Sequence, residues 1–534
     1  MLLSRISFSL SLHITLAFVF ITLSAPVYAQ VTAFKQAVAS AAGKDPAIAA
    51  FYQERGFEPI WTGKSNADRQ RRAALIKAAS QAALHGLPTD QYDPDRIKAA
   101  ITSARGAEAL GQLEIYLSSL FLAYARDVQT GILTPSKVDS EIVREVPYRD
   151  RQATLAAFAK SSASGFMKAL PPQSPEYTRL MRQKLEMEKL LAAGGWGATV
   201  SAKKLEPGDT GQAVVALRNR LIAMGHMKRS STQTYDGDIE IAVRRFQEAH
   251  GLAVDGVAGA ATLGEINKSV EDRLTQIIVA MERERWINRD LGQRHIWVNL
   301  TDFSAQIRDK GRVTFRTRSV IGAADKERRS PEFSDMMDHM VINPSWYVPR
   351  SIATKEYLPQ LKRNPNAVSH LQITDRRGRL VNRANVDFAS YTASSFPFSM
   401  RQPPSRSNAL GLVKFMFPNK YNIYLHDTPA KNLFSRDVRA FSHGCIRLND
   451  PFEFAYALLA KQTSDPEGFF MKRLNTGKES RVNLEAPLPV HLVYRTAFTA
   501  PGGEMHFRRD VYGRDAKIWD ALAREGVALR AVRG

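Results

Sequence analysis

Cys445 is the one cysteine of this chain, and it follows His443 by two positions and His426 by nineteen. A thiol with the ordinary pKa of about 8.5 is mostly protonated at neutral pH, so a nucleophilic cysteine needs a nearby base or cation. Both histidines could serve. His443 lies in the same short segment, Ser442-His443-Gly444-Cys445-Ile446-Arg447, whereas His426 closes the strand-like run of Tyr424-Leu425-His426-Asp427-Thr428-Pro429 and could face the cysteine from a neighbouring strand. Gly444 lets the backbone turn sharply enough to present the sulfur and aim amides at a developing oxyanion. Arg447 could bind a substrate carboxylate or form a structural ion pair. Two other readings compete with nucleophilic chemistry. A lone cysteine is often a small buried hydrophobe, and His426, Asp427, His443 and Cys445 could formally ligate a metal. His-Gly-Cys sets ligands only two apart, without the pair spacing usual in zinc sites, so no metal or cofactor is expected.

The elements that must position these residues are short and β-rich. From His295 onward, runs such as Ile296-Trp297-Val298-Asn299-Leu300 and Val313-Thr314-Phe315-Arg316-Thr317 are broken by glycine, proline and asparagine, which predicts an antiparallel sandwich or barrel. Asp450-Pro451-Phe452-Glu453 starts a helix about five residues past Cys445, too far for its dipole to be the main support of a thiolate. A charged, proline-containing stretch, residues 350–400, interrupts the strand pattern. Upstream, residues 205–268 read as three short helices joined by Asp-Gly turns, and residues 30–200 as a helical scaffold whose longest apolar run, Leu113 to Ala125, suits a core helix. The fold class predicted is therefore multidomain α+β: helical N-terminal scaffold, three-helix module, mostly-β domain at 295–475 with an inserted 350–400 segment, and strands and a helix at 476–534 packing on the scaffold or the β domain.

The chain has 534 residues, 44% hydrophobic and 24% charged, a globular rather than disordered composition. Its net charge of +21 points to an anionic partner. Arg5, the apolar stretch through Ser24 and then Ala25-Pro26-Val27-Tyr28-Ala29 read as a cleaved signal over residues 1–29, with an uncleaved anchor as the alternative. Export makes a nucleic-acid partner unexpected. A single cysteine excludes an intramolecular disulfide framework, and a free thiol kept in an oxidising compartment favours a working cysteine over a retired one.

The segment from His426 to Arg447 resembles the active-site signature of L,D-transpeptidases of the YkuD fold, which Ser442-His443-Gly444-Cys445-Ile446-Arg447 matches throughout. The order of residues 205–268, from Leu205-Glu206-Pro207-Gly208-Asp209-Thr210-Gly211 to Gly259, resembles a peptidoglycan-binding domain. The layout as a whole is similar to the large periplasmic YcbB-type members, with further support in Ile342-Asn343-Pro344-Ser345-Trp346-Tyr347, Asn408-Ala409-Leu410-Gly411 and Asp510-Val511-Tyr512-Gly513-Arg514-Asp515. Arg401-Gln402-Pro403-Pro404 departs from the pattern in lacking a glycine after the first proline, and Asp427 fits the YcbB-type subset.

The resemblance implies a periplasmic enzyme of cell wall biogenesis whose partner is peptidoglycan, its stem peptides and glycan, with other wall-synthesis proteins as candidate partners. His426 would take the thiol proton, and Cys445 would attack the carbonyl of the third stem residue and expel the terminal D-alanine. Amides near Gly444 and Cys445, helped by Tyr424, would hold the oxyanion, and a neighbouring stem amine would resolve the thioester into a 3→3 crosslink. His443 either orients the turn or supports the thiolate. Tyr424, Ser442, Arg447, Trp346 and Asn408 are expected to contact substrate, and residues 350–400 to form a lid. The competing reading is a cysteine hydrolase of the same stems, an L,D-carboxypeptidase.

Overall fold

The computed structural model describes residues 25–500 and 502–531. The hydrophobic part of the expected signal, residues 1–24, lies outside them, and residues 25–29 begin the helix Ala25–Ala42. Among the described residues no helix is long and apolar enough to cross a membrane.

Leu113 to Ala125 lies inside the helix Gly106–Thr130, the spine of the N-terminal helical region. Its Glu114, an interruption of the apolar run in sequence, is fully buried and accepts hydrogen bonds from the amides of Ile60, Trp61 and Thr62 and the hydroxyls of Thr62 and Tyr52. Ser118, one turn on, accepts from the Trp61 indole. These bonds replace the water that burial removes, so the polar residues pin the aromatic turn after the helix Pro46–Glu54 onto the spine.

The module holds helices Gln212–Ala223, Gly237–Ala249 and Ala260–Ile266 around its own apolar core. Buried Gln247 latches the glycine-rich loop after its second helix: its amide nitrogen donates to Asp255, Val257 and Thr262, and its oxygen accepts from the Gly256 amide.

The helix Val270–Trp286 runs from this module to the β domain, and every side chain from Ile277 to Trp286 is buried, four consecutive charges included. Each charge has a partner: Glu282 with Arg285, Arg283 with Glu332 and Asp515, Glu284 with Arg495. Arg285 also donates to the His85 carbonyl, and Glu282 accepts the Leu133 amide, so the same turn of helix grips the scaffold. Arg508 ties the module to the β domain, donating to the Ala249 carbonyl (2.8 Å) and pairing with Asp302 (2.6 Å).

The β domain is a closed barrel. Its ring runs Arg312–Gly322, Ile446–Leu448, Leu425–His426, Val413–Met416, Phe333–Ile342, Ser480–Val493, Arg294–Asn299 and Ser304–Asp309, and the last strand pairs back onto the first. Ala440–Ser442 adds a ninth strand beside Ile321 and Gly322. Two expectations are corrected. The domain does not end at 475, because Ser480–Val493 is an interior strand between Phe333–Ile342 and Arg294–Asn299 and the ring cannot close without it. Nor is the sheet wholly antiparallel: Arg294–Asn299 with Ser480–Val493, Leu425–His426 with Ile446–Leu448, and Ala440–Ser442 with Arg312–Gly322 are parallel. The C-terminal helix Arg514–Arg524 instead joins the scaffold core through Ile518, Ala521 and Leu522.

The inserted stretch builds a small cap with a core of its own, including Ile352, Leu361, Ile373, Phe388 and Phe396. A three-stranded sheet, Trp346–Tyr347, Ser399–Gln402 and Gln372–Thr374, spans its base. Its first helical segment widens into one π-turn, Ala353–Tyr357, a local geometry that often marks functional sites.

Candidate active site

Three adjacent barrel strands set the site by register. Ile446 pairs with Leu425 and Arg447 with His426, while Lys414 pairs with His426 from the other side. Strand side chains alternate between faces. Leu425, Ile446 and Phe415 therefore point into the barrel core, where all three are fully buried, and their neighbours point out. One outward row reads Lys414, His426, Arg447 across the strands. Tyr424 and Cys445 stand beside it on the same face.

The turn before Cys445 is held from several sides. Gly444 has φ +109°, a conformation L side chains rarely adopt, and an added Cβ would meet Ile423 Cδ1 at 3.0 Å. Buried Ser442 accepts the Gly444 amide (3.1 Å) and donates to the Cys445 carbonyl (2.5 Å), while Ser330 donates to the Gly444 carbonyl (2.6 Å). The Gly444 amide is thus committed within the turn and is not free for an oxyanion. The Cys445 amide makes no hydrogen bond among the described residues. Asn422, at φ +54°, turns its carbonyl to accept the thiol at 3.5 Å.

Burial pushes the Cys445 thiol up to about 11, against the lowering effects of hydrogen bonds from Tyr424 and the nearby charges of Arg447 and Lys414. Burial, seconded by the Arg447 charge, holds His426 down at about 3. His426 Nδ1 donates to the Asp427 carbonyl, which fixes the tautomer and leaves Nε2 as the basic nitrogen. At neutral pH the pair is thus a neutral thiol beside a neutral imidazole. Tyr424, raised well above the usual phenol value by burial and by Cys445, stays a proton donor.

These groups line a cavity of about 800 Å³ whose far wall is the cap, contributing Ile352, Lys355, Glu356 and Tyr357. Arg447 forms no ion pair among the described residues, and its buried Nε has no partner, so the structural salt-bridge alternative does not hold for it. Lys414 is likewise unpaired with any acid and lies 6.0 Å from the Tyr424 ring centre. Trp346 lines the cavity from the cap base. His443, half-exposed, contacts Glu356 of the π-turn.

Asn408 does not reach the cavity, which corrects its assignment to substrate binding. Fully buried, it donates to the carbonyls of Pro344, Gln402 and Pro403 and accepts the Leu410 amide, closing the loop that leads into Val413–Met416. Asp427 has a similar role, accepting the Leu412 amide and pairing with Lys431 (2.8 Å). Gly411, φ +63°, must be glycine because an added Cβ would lie 2.3 Å from the Asp427 carboxylate. Lys414 and Glu356 are the site residues that motif reading missed. Lys414 shows only as the polar position of the alternating run Val413-Lys414-Phe415, and Glu356 carries no local signal.

Three regions match family models: residues 46–183 a "Scaffold domain", residues 210–266 a "Putative peptidoglycan binding domain" and residues 293–466 an "L,D-transpeptidase catalytic domain". A "Putative L,D-transpeptidase" of Haemophilus influenzae is 32% identical over 271 residues, 48% of this chain and 53% of that protein. The "Zinc D-Ala-D-Ala carboxypeptidase" of Streptomyces albus G is 35% identical over 86 residues, 15% of this chain and 31% of that one. The chain thus spans about half or less of the length of these curated relatives. Among solved structures, L,D-transpeptidases from Stackebrandtia nassauensis (12% identity, 56% of this chain and 97% of that one, TM-score 0.22) and Xylanimonas cellulosilytica (15%, 55% and 98%, TM-score 0.17) were matched.

Proposed function

From a chain that carries a YkuD-type L,D-transpeptidase catalytic domain and a peptidoglycan-binding domain, we propose that it is a periplasmic enzyme forming 3→3 crosslinks between peptidoglycan stems through a Cys445 thioester. The observation that carries this reading is the outward row Lys414–His426–Arg447 with Cys445 and Tyr424 beside it. His426 Nε2 takes the thiol proton as sulfur attacks the carbonyl of the third stem residue. The oxyanion is met by the Cys445 amide, unbonded among the described residues, and by the Tyr424 hydroxyl. His426 then returns the proton to the departing D-alanine nitrogen. Arg447 and Lys414, which form no salt bridge among the described residues, receive carboxylates of the donor stem. A stem amine resolves the thioester, and the cap covers the site as a lid. The module's match to peptidoglycan-binding domains supports wall polymer as the partner.

Incubating the protein with disaccharide-tetrapeptide and weighing the products tests the reading. Crosslinked dimer that disappears in Cys445→Ala is the expected result. Shortened monomer without dimer would replace the transferase with a carboxypeptidase, and dimer formation by Cys445→Ala would remove the thioester from the mechanism.

A further inference from the structure

The cavity lining carries charge of both signs. Beside His426 stand the cations Lys414 and Arg447, which repel an ammonium group. The same lining holds Asp325, Glu327 and Glu356 with Arg328 and Lys355. Arg328 pairs with Asp325 (2.7 Å) and Lys355 with Glu327 (2.5 Å). That leaves Glu356, on the π-turn of the cap, as the carboxylate whose one bonded partner among the described residues is an imidazole: its Oε1 accepts from His443 Nε2 at 2.5 Å. With Nε2 donating to the carboxylate, Nδ1 is the His443 nitrogen left to accept a proton. His443 is two residues from the nucleophile and lines the same cavity.

Resting on the transpeptidase reading, we propose that His443 is the acceptor-side base, positioned by Glu356, and that this pair strips the first proton from the incoming ammonium of the acceptor. The proton count calls for such a group. An acceptor nitrogen enters as R–NH3+ and leaves as an amide N–H, so it loses two protons. One goes through His426 to the Cys445 sulfur as the N–C bond forms and the C–S bond breaks. The other must depart earlier, because a protonated nitrogen has no lone pair for attack. His443 accepts it, the Glu356 carboxylate balances the resulting imidazolium, and the proton passes to bulk water from this half-exposed side chain. Tyr357 and the paired Asp325, Glu327, Arg328 and Lys355 complete the charged and titratable surroundings of the dyad.

The test separates the two half-reactions. Release of D-alanine from a tetrapeptide donor reports acylation, and its presence in the unaltered protein is the check on the transpeptidase reading itself. In Glu356→Gln, transfer to an amine acceptor at neutral pH should slow at least about tenfold more than acylation does, as expected for loss of a general base. The deficit should shrink as pH rises and the acceptor deprotonates unaided, and it should vanish with hydroxylamine, whose nitrogen is already neutral. His443→Gln should show the same pattern, and the double variant should be no worse than either single one. Equal slowing of both steps, or a transfer deficit that is independent of pH and of acceptor, would mean that the pair merely holds the cap and would overturn the assignment.

Discussion

Cys445 and His426 share the cavity as neutral groups, and the cations around them partly offset the burial that holds the thiol un-ionised. Arg447 lowers the thiol and, by the same charge, lowers the imidazole. Removing it should therefore move both upward. In Arg447→Ala we expect iodoacetamide to alkylate Cys445 more slowly at pH 8 than in the parent, with the midpoint of the alkylation profile moving to higher pH. KM for the tetrapeptide donor should rise about tenfold, the loss of one charge-assisted hydrogen bond of about 1.5–3 kcal/mol. An unshifted profile with unchanged KM would return Arg447 to a structural role. At this scale the sequence was informative wherever chemistry is written in adjacent residues: the cysteine, both histidines, Tyr424 and Arg447 all line the cavity. It was silent where a residue arrives by register or from an insertion. Lys414 reaches the row because its strand pairs with Leu425–His426, and Glu356 comes from 87 residues before His443. Asn408, conspicuous in a supporting motif, is a backbone clasp.

Elements were legible where periodicity and burial agree. The module's three helices and the Gly106–Thr130 spine follow that rule. The helix Val270–Trp286 breaks it, since Glu282-Arg283-Glu284-Arg285 looks like a solvated face and is instead buried with partners drawn from distant parts of the chain. The inward set of the β domain was equally hidden, because a strand as short as Leu425–His426 is too brief to show alternation. The loop before Val413–Met416 gives a clean test of the Asn408 correction. Asn408→Ala leaves three carbonyls and one amide without their partner, so unfolding free energy should fall by roughly 3 kcal/mol. Well below the melting temperature, KM should stay within about twofold of the parent, because no lost contact involves substrate. A large KM change with unaltered stability would restore Asn408 to the binding surface.

The whole molecule carries a set of histidines kept neutral by burial: His85, His226 and His491 are lowered to about 4, and His426 further, from the ordinary 6.5. An unfolded chain takes up these protons near pH 6.5, whereas the folded chain resists until about pH 4. Their contribution to stability is therefore intact above pH 6.5 and is lost as pH falls through that window. Tm should drop between pH 7 and pH 5, and replacing His491, far from the cavity, by Gln should flatten that drop; a Tm independent of pH across this range would contradict the assignment of neutral histidines.

One buried helix grips scaffold, module and barrel together, and Arg508 locks module to barrel a second time. The peptidoglycan-binding module and Cys445 are thus the two jaws of a set caliper rather than beads on a string. If the module holds a glycan strand, Cys445 samples only stems at one fixed span from that hold, and the enzyme's reach along the wall becomes a property of its frame.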